Sequence, residues 1–184
     1  MAVLAPRRVA AILSIIGHPF ILTPATVALM AGPRSIAAGI ALAIVIVMLA
    51  VIARRVAAGR WSDYDVSDVQ QRHGFYPIAL TIVGVAALAS WGFHQPPRMI
   101  RGMVVAEAML IVGAVLTRWT KVSLHVMIGA FCVANVATES VAVACGLALL
   151  VIAVGWSRVV LQRHTVVQVI AGALIGVVAG AFVR

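Results

Sequence analysis

Residues 155–169 read GWSRVVLQRHTVVQV, two arginines and a histidine set between long runs of Val, Ile, Leu and Ala. The runs on either side, about 140–156 and 165–183, carry almost no charge. Lipid offers no partner to an unpaired backbone N–H or C=O, so a run of this kind crosses a bilayer only as a helix. The charged segment between two such runs is then a loop at a membrane surface.

The same pattern repeats along the chain. Apolar runs fall at about 9–31, 35–53, 76–93, 102–117, 124–138, 140–156 and 165–183, separated by short polar breaks such as HQPPRMIRG and ATES. A span takes roughly 20 residues. The expectation is an all-α, polytopic transmembrane helix bundle of six or seven spans, with residues 1–184 forming a single integral-membrane domain. Composition agrees: the chain is 64% hydrophobic and 10% charged, with a mean hydropathy of +1.13. An ordinary soluble domain is only about 45–50% apolar.

The net charge of +9 does not indicate nucleic-acid binding, because the basic residues sit in short loops between apolar runs. There they serve as topology signals and as ligands for anions or anionic headgroups. The opening MAVLAPRRVAAILSIIGHPF has the charged-then-apolar order of a signal peptide, but the apolar run continues past Leu29. It reads as an uncleaved first span, kinked or broken around His18, Pro19 and Pro24. Cys132 and Cys145 fall within spans at different depths and are not expected to pair.

Seven crossings would put the segments near 54–75, 117–123 and 156–164 on one membrane face, with Trp61, Trp119 and Trp156 as an aromatic belt. That face would carry Arg7, Arg8, Arg54, Arg55, Arg60, Arg72, Arg118, Lys121, Arg158 and Arg163. The other would carry Arg34, Arg98, Arg101 and Arg184. This asymmetry favours a cytoplasmic position for the three loops in a cell (plasma or inner) membrane.

Those loops hold DVSDVQQRHG, ending in Arg72 and His73; WTKVSLHV, with Lys121, Ser123 and His125; and SRVVLQRHTVVQ, with Ser157, Arg158, His164 and Gln168. In order and spacing they resemble the type 2 phosphatidic acid phosphatase superfamily of integral-membrane lipid phosphatases, whose motifs are K-x6-R-P, P-S-G-H and S-R-x5-H-x3-D. The third motif is matched by Ser157, Arg158 and His164, with Gln168 at the aspartate position. The second is matched by Ser123 and His125, with Val122 and Leu124 replacing its proline and glycine. The first keeps only Arg72; Asp65 stands where lysine is usual and His73 follows instead of proline.

The resemblance implies a phosphatase that forms a phosphohistidine on His164, while His125 protonates the leaving lipid alkoxide and then activates water. Arg72, Lys121, Ser123, Ser157 and Arg158 would cradle the phosphate, a task suited to the planar guanidinium fork and the point charge of lysine. No metal or other cofactor is implied. Gln168 can orient His164 by accepting a hydrogen bond but cannot supply negative charge, so Asp65 or Asp68 is a candidate for the missing carboxylate. The partners implied are a phosphorylated lipid substrate (phosphatidic acid, phosphatidylglycerol phosphate or a polyprenyl phosphate or diphosphate) and the surrounding membrane lipids, not nucleic acid. Many bacterial relatives work at the outer face, against the charge count.

Two other readings share this pocket. A catalytically inactive protein of the same fold would bind or transport lipid phosphates, and a phosphotransferase would pass the phosphoryl group to an alcohol. Elsewhere, Glu107 and Glu139 lie too far along their spans to reach the motif face and read as structural. Asn135 reads as a buried residue making an interhelical hydrogen bond. Gly172, Gly176 and Gly180 form a small-residue stripe suited either to packing inside the bundle or to a homodimer.

Overall fold

The computed structural model describes residues 4–32 and 34–183; residues 1–3, Pro33 and Arg184 lie outside it, and with them one of the four far-side cations. The described residues form eight helices and no strand: α1 (Leu4–Ile16), α2 (Pro19–Ala31), α3 (Ile36–Ala57), α4 (Val69–Gly92), α5 (Pro97–Leu116), α6 (Leu124–Val136), α7 (Val141–Val160) and α8 (Val166–Ala181). The all-α bundle is as expected.

Local chemistry fixes the helix ends. Ser35, Asp68, Ser140 and Thr165 each accept a backbone N–H from the first turn of α3, α4, α7 and α8, which satisfies donors that a helix start otherwise leaves open. The first apolar run is broken, with α1 and α2 meeting at a 44° bend. His18 makes the break: its Nδ1 accepts the Phe20 N–H at 3.2 Å, and Pro19 follows at the first helical position. Pro24 stays inside α2 without ending it.

α3, α4, α5 and α7 are long and apolar enough to cross a bilayer, and the bent α1–α2 pair qualifies as a fifth crossing. α6 and α8, at 13 and 16 residues, are apolar but shorter. Many large apolar side chains face outward, among them Leu88, Leu149, Ile152 and Val167. On a water-soluble protein so much exposed apolar surface would drive association; on a membrane protein it is the lipid-facing side.

α6 packs most extensively against α8 and also touches α2 and α7, while α4 pairs with α5 and α1 lies along α7. The glycine stripe faces inward. A Cβ on Gly172 would stand 2.8 Å from the Ser123 carbonyl oxygen, while one on Gly176 would collide with the Met127 carbonyl and one on Gly180 with Ala134. The stripe therefore lets α8 lie directly on the α6 backbone. A second cluster joins Met48 and Ile52 of α3, Phe75, Tyr76 and Ala79 of α4, Leu110 of α5, and Trp61 and Val66 of the α3–α4 loop.

Trp61 corrects the aromatic-belt expectation. It is only 6% exposed, packed 6.3 Å from the Phe75 ring, whereas Trp119 is 75% exposed. Asn135 is buried as expected, but its Nδ2 donates to Phe131 O of its own helix at 2.8 Å rather than across helices. Glu139 lies in the α6–α7 turn and pairs with Arg98 at the start of α5. Cys132 is buried, Cys145 exposed, and both are free thiols.

Candidate functional site

Three connecting segments and the α1–α2 break meet at one end of the bundle. The α3–α4 loop is folded around Asp63, whose Oδ1 accepts the Asp65 N–H at 2.9 Å and the Ser67 N–H and hydroxyl at 3.2 Å each. Arg163 of the α7–α8 loop ties it down, donating to Asp63 Oδ2 at 3.3 Å and to Ser67 Oγ at 2.7 Å. Arg163 is thus a clamp between two loops rather than a free interfacial charge. In its own loop, Gln162 has a φ of +56°, and the Arg163 and His164 N–H groups both turn back onto Arg158 O.

That turn sets His164 at the head of α8, and Gln168 fixes its ring. Gln168 Oε1 lies 3.1 Å from His164 Nδ1 and 3.2 Å from the Thr165 backbone nitrogen. A backbone N–H can only donate, so the Gln168 atom facing both nitrogens is its carbonyl oxygen, and His164 must carry its proton on Nδ1. Nε2 then holds a lone pair, and it stands 3.5 Å from Arg72 Nη2. Burial, and next the positive charges of Arg72 and Arg158, push the His164 imidazole down to about 3, outweighing the hydrogen bond it donates to Gln168. His164 is therefore a neutral imidazole with its free nitrogen aimed among cations.

Arg72 is buried at the start of α4 and held by two main-chain carbonyls, with Nε on Val66 O at 3.2 Å and Nη1 on Val122 O at 2.8 Å. Lys121 reaches Ser67 O at 3.3 Å. Burial, then repulsion from Arg72, Arg158 and Arg163, lowers its ammonium below the usual lysine range. Ser123 caps α6 without bonding it, and its buried hydroxyl lacks a hydrogen-bond partner among the described residues, as do Arg158 Nε and His125 Nε2. Buried donors without partners are uncommon. Arg98 Nε and Glu107 Oε2, away from this end of the bundle, are the other buried side-chain atoms without a partner among the described residues.

Arg158 is 1% exposed and donates from Nη1 to both Ser14 Oγ and Asp65 Oδ2, each at 2.7 Å. Asp65 Oδ1 faces two histidines, His18 Nε2 at 3.7 Å and His125 Nε2 at 3.9 Å. Burial alone would raise the Asp65 carboxyl, but the facing His18 imidazole and then the charges of His125 and Arg158 hold it well below the usual range. The His18, Asp65 and His125 ligand atoms lie within 4.8 Å of one another, as a metal site would need. The His18 tautomer opposes that use. With Nδ1 accepting the Phe20 N–H, neutral His18 carries its proton on Nε2, the atom a metal would require.

Arg72, Lys121, Ser123, His125, Arg158, His164 and Gln168 all lie at this end of the bundle. Ser157 is fully buried and donates to Val154 O at 2.7 Å, turned into its own helix. Asp68 caps α4 through Gln70 and Gln71, and Asp65 meets His18, His125 and Arg158 rather than His164. His73 is exposed, on a different face of α4 from Arg72. Sequence reasoning passed over His18 and Ser14 as site residues. Only the polar His18 inside an apolar run, beside Pro19, signalled them. No protein-family model matches this chain, and no curated protein or solved structure matches it either.

Proposed function

We propose that the protein is a metal-independent membrane lipid phosphatase that works through a phosphohistidine, in the manner of the type 2 phosphatidic acid phosphatase superfamily. One observation carries the reading. His164, kept neutral by burial and by the charges of Arg72 and Arg158, has its tautomer set by Gln168, so that its Nε2 lone pair is directed at the Arg72 guanidinium. A phosphate seated on Arg72, Lys121 and Arg158 would offer its phosphorus to that lone pair. Attack forms the N–P bond as the lipid oxygen leaves with a proton from His125, and water then cleaves the phosphohistidine. The cations and the first amides of α6 would offset the charge that gathers on the phosphoryl oxygens.

The substrate class is a phosphomonoester or diphosphate whose tail stays in lipid, such as phosphatidic acid, phosphatidylglycerol phosphate or a polyprenyl phosphate. Counting the bent pair as one crossing and α6 and α8 as two more gives seven spans, and the excess of Lys and Arg around the site favours its cytoplasmic placement. A topology reporter fused after Arg184 should then lie on the opposite side from the site.

The decisive experiment is phosphate release from a lipid-phosphate panel by detergent-purified protein, with EDTA present, beside His164→Ala. Release that survives EDTA and vanishes in the variant supports the reading. Absence of release from every lipid by the wild type would instead make this a binding or transport protein.

A further inference from the structure

We propose that Asp65 and His18 form a positioning unit for His125, supplying to the proton-donating histidine the carboxylate that the nucleophile His164 lacks. The inference rests on the phosphatase reading above.

The unit is built in one direction. The Phe20 N–H fixes the His18 tautomer, so Nε2–H points at Asp65 Oδ1. Arg158 holds the other carboxylate oxygen at 2.7 Å. Asp65 is left with one orientation, in which Oδ1 also faces His125 Nε2, a buried nitrogen with no hydrogen-bond partner among the described residues. The His18 and His125 rings meet edge to face with centroids 4.7 Å apart, which fixes the second imidazole against the first. The distance of 3.9 Å from Oδ1 to His125 is longer than a hydrogen bond. Catalytic contacts of this kind tighten as substrate binds.

A carboxylate beside a histidine stabilises the imidazolium and turns its other nitrogen outward. The first half-reaction needs His125 with a proton on each ring nitrogen, and Asp65 against Nε2–H would offset part of the cost of burying that cation while the other nitrogen gives its proton to the leaving oxygen. His18 and Asp65 also line a cavity of about 510 Å³ that reaches Arg7 and Arg163. This leaves one side of the carboxylate open to water while His125 stays buried.

Leaving-group dependence tests the idea. A nitrophenyl phosphate departs as a stable anion and needs little protonation, whereas an alkyl lipid phosphate departs as an alkoxide and needs a proton donor. The value compared is kcat/KM, which covers phosphoryl transfer to His164 and not its later hydrolysis. Asp65→Asn should lose about 100-fold on the alkyl substrate and less than about threefold on the aryl one. Because Asp65→Asn also disturbs buried Arg158, His18→Asn is the second variant. Asparagine still caps α2 but does not reach Asp65, and it should lose about tenfold on the alkyl substrate alone. Equal losses on both substrates in His18→Asn would reduce the trio to scaffolding and overturn the proposal while leaving the phosphatase reading intact. Activity that EDTA removes and Zn²⁺ restores would make the trio metal ligands and overturn it too. A wild type inactive on both substrates would take the underlying reading down as well.

Discussion

The Gln168 carbonyl oxygen accepts from two neighbours, the Thr165 N–H at 3.2 Å and His164 Nδ1–H at 3.1 Å, so the side chain that completes the cap of α8 also sets the tautomer of the histidine beside it. Glutamate in this place would keep both bonds, since Glu is as well suited to a capping box as Gln, and would add a charge. Gln168→Glu should raise kcat on lipid phosphates by about tenfold, near 1.4 kcal/mol of barrier. Gln168→Leu should lower it by about 100-fold. Steady-state phosphate release reads both, and a Glu variant no faster than wild type would show that charge behind His164 does not limit the reaction.

The depressed His164 value, about 3, carries a sign. Between that value and about 6.5, the ordinary histidine pKa, the unfolded chain binds a proton at this position and the folded chain does not. Its share of stability is complete above about pH 6.5 and is lost as pH falls toward 3. Thermal midpoints in detergent should drop on acidification from pH 7.5 to 4.5, and less steeply in His164→Gln. At pH 5, an acylating reagent specific for neutral imidazole should still modify His164 while an ordinary exposed histidine has largely stopped reacting, as peptide mass spectrometry would show.

Arg72 uses three of its nitrogens in three directions, on Val66 O, Val122 O and His164 Nε2. Lysine has one nitrogen and no fork. Arg72→Lys should therefore reduce kcat/KM by about 100-fold or more, the usual cost of one misplaced oxyanion donor, while the protein still purifies as a monodisperse peak.

Gly176 and Gly146 provide a matched pair for packing. A Cβ at Gly176 would run into the α6 backbone, whereas one at Gly146 meets nothing within 4 Å. Gly176→Leu should cost on the order of 1–3 kcal/mol or more, seen as a large fall in thermal midpoint. Gly146→Leu should leave both midpoint and activity near wild type.

The ion pair of Arg98 with Glu139 joins the start of α5 to the α6–α7 turn, both partners being partly exposed. Such pairs contribute about 0–1 kcal/mol. Glu139→Gln should leave phosphate release unchanged within about twofold, which marks the chemistry as belonging to the other end of the bundle.

The sequence made the helices legible because lipid imposes one solution on long apolar runs, and it made Arg158, His164 and Gln168 legible because short spacings on one turn carry directly into space. What it hid were relations between distant segments. Trp61 sits in a polar, charged stretch and looks interfacial, yet the loop folds it inward against Phe75. Asp65 occupies the motif's lysine position, and nothing local to it reveals that two histidines from α6 and the α1–α2 break would turn toward it. His18 looked like a kink-forming residue, and it is one; its second role arises from the same cap that makes the kink.

Arg158 and Ser14 are hydrogen-bonded across 144 positions of the chain. During synthesis the first helices are therefore inserted long before the residues they must meet exist. A ribosome adds about 5–20 residues per second, so roughly 7 to 30 seconds separate the appearance of Ser14 from that of Arg158, and α8 with Gln168 comes later still. Through that interval Ser14 and Asp65 lack Arg158, and Asp63 and Ser67 lack Arg163. The proposed site can close only when α7 and α8 have been made.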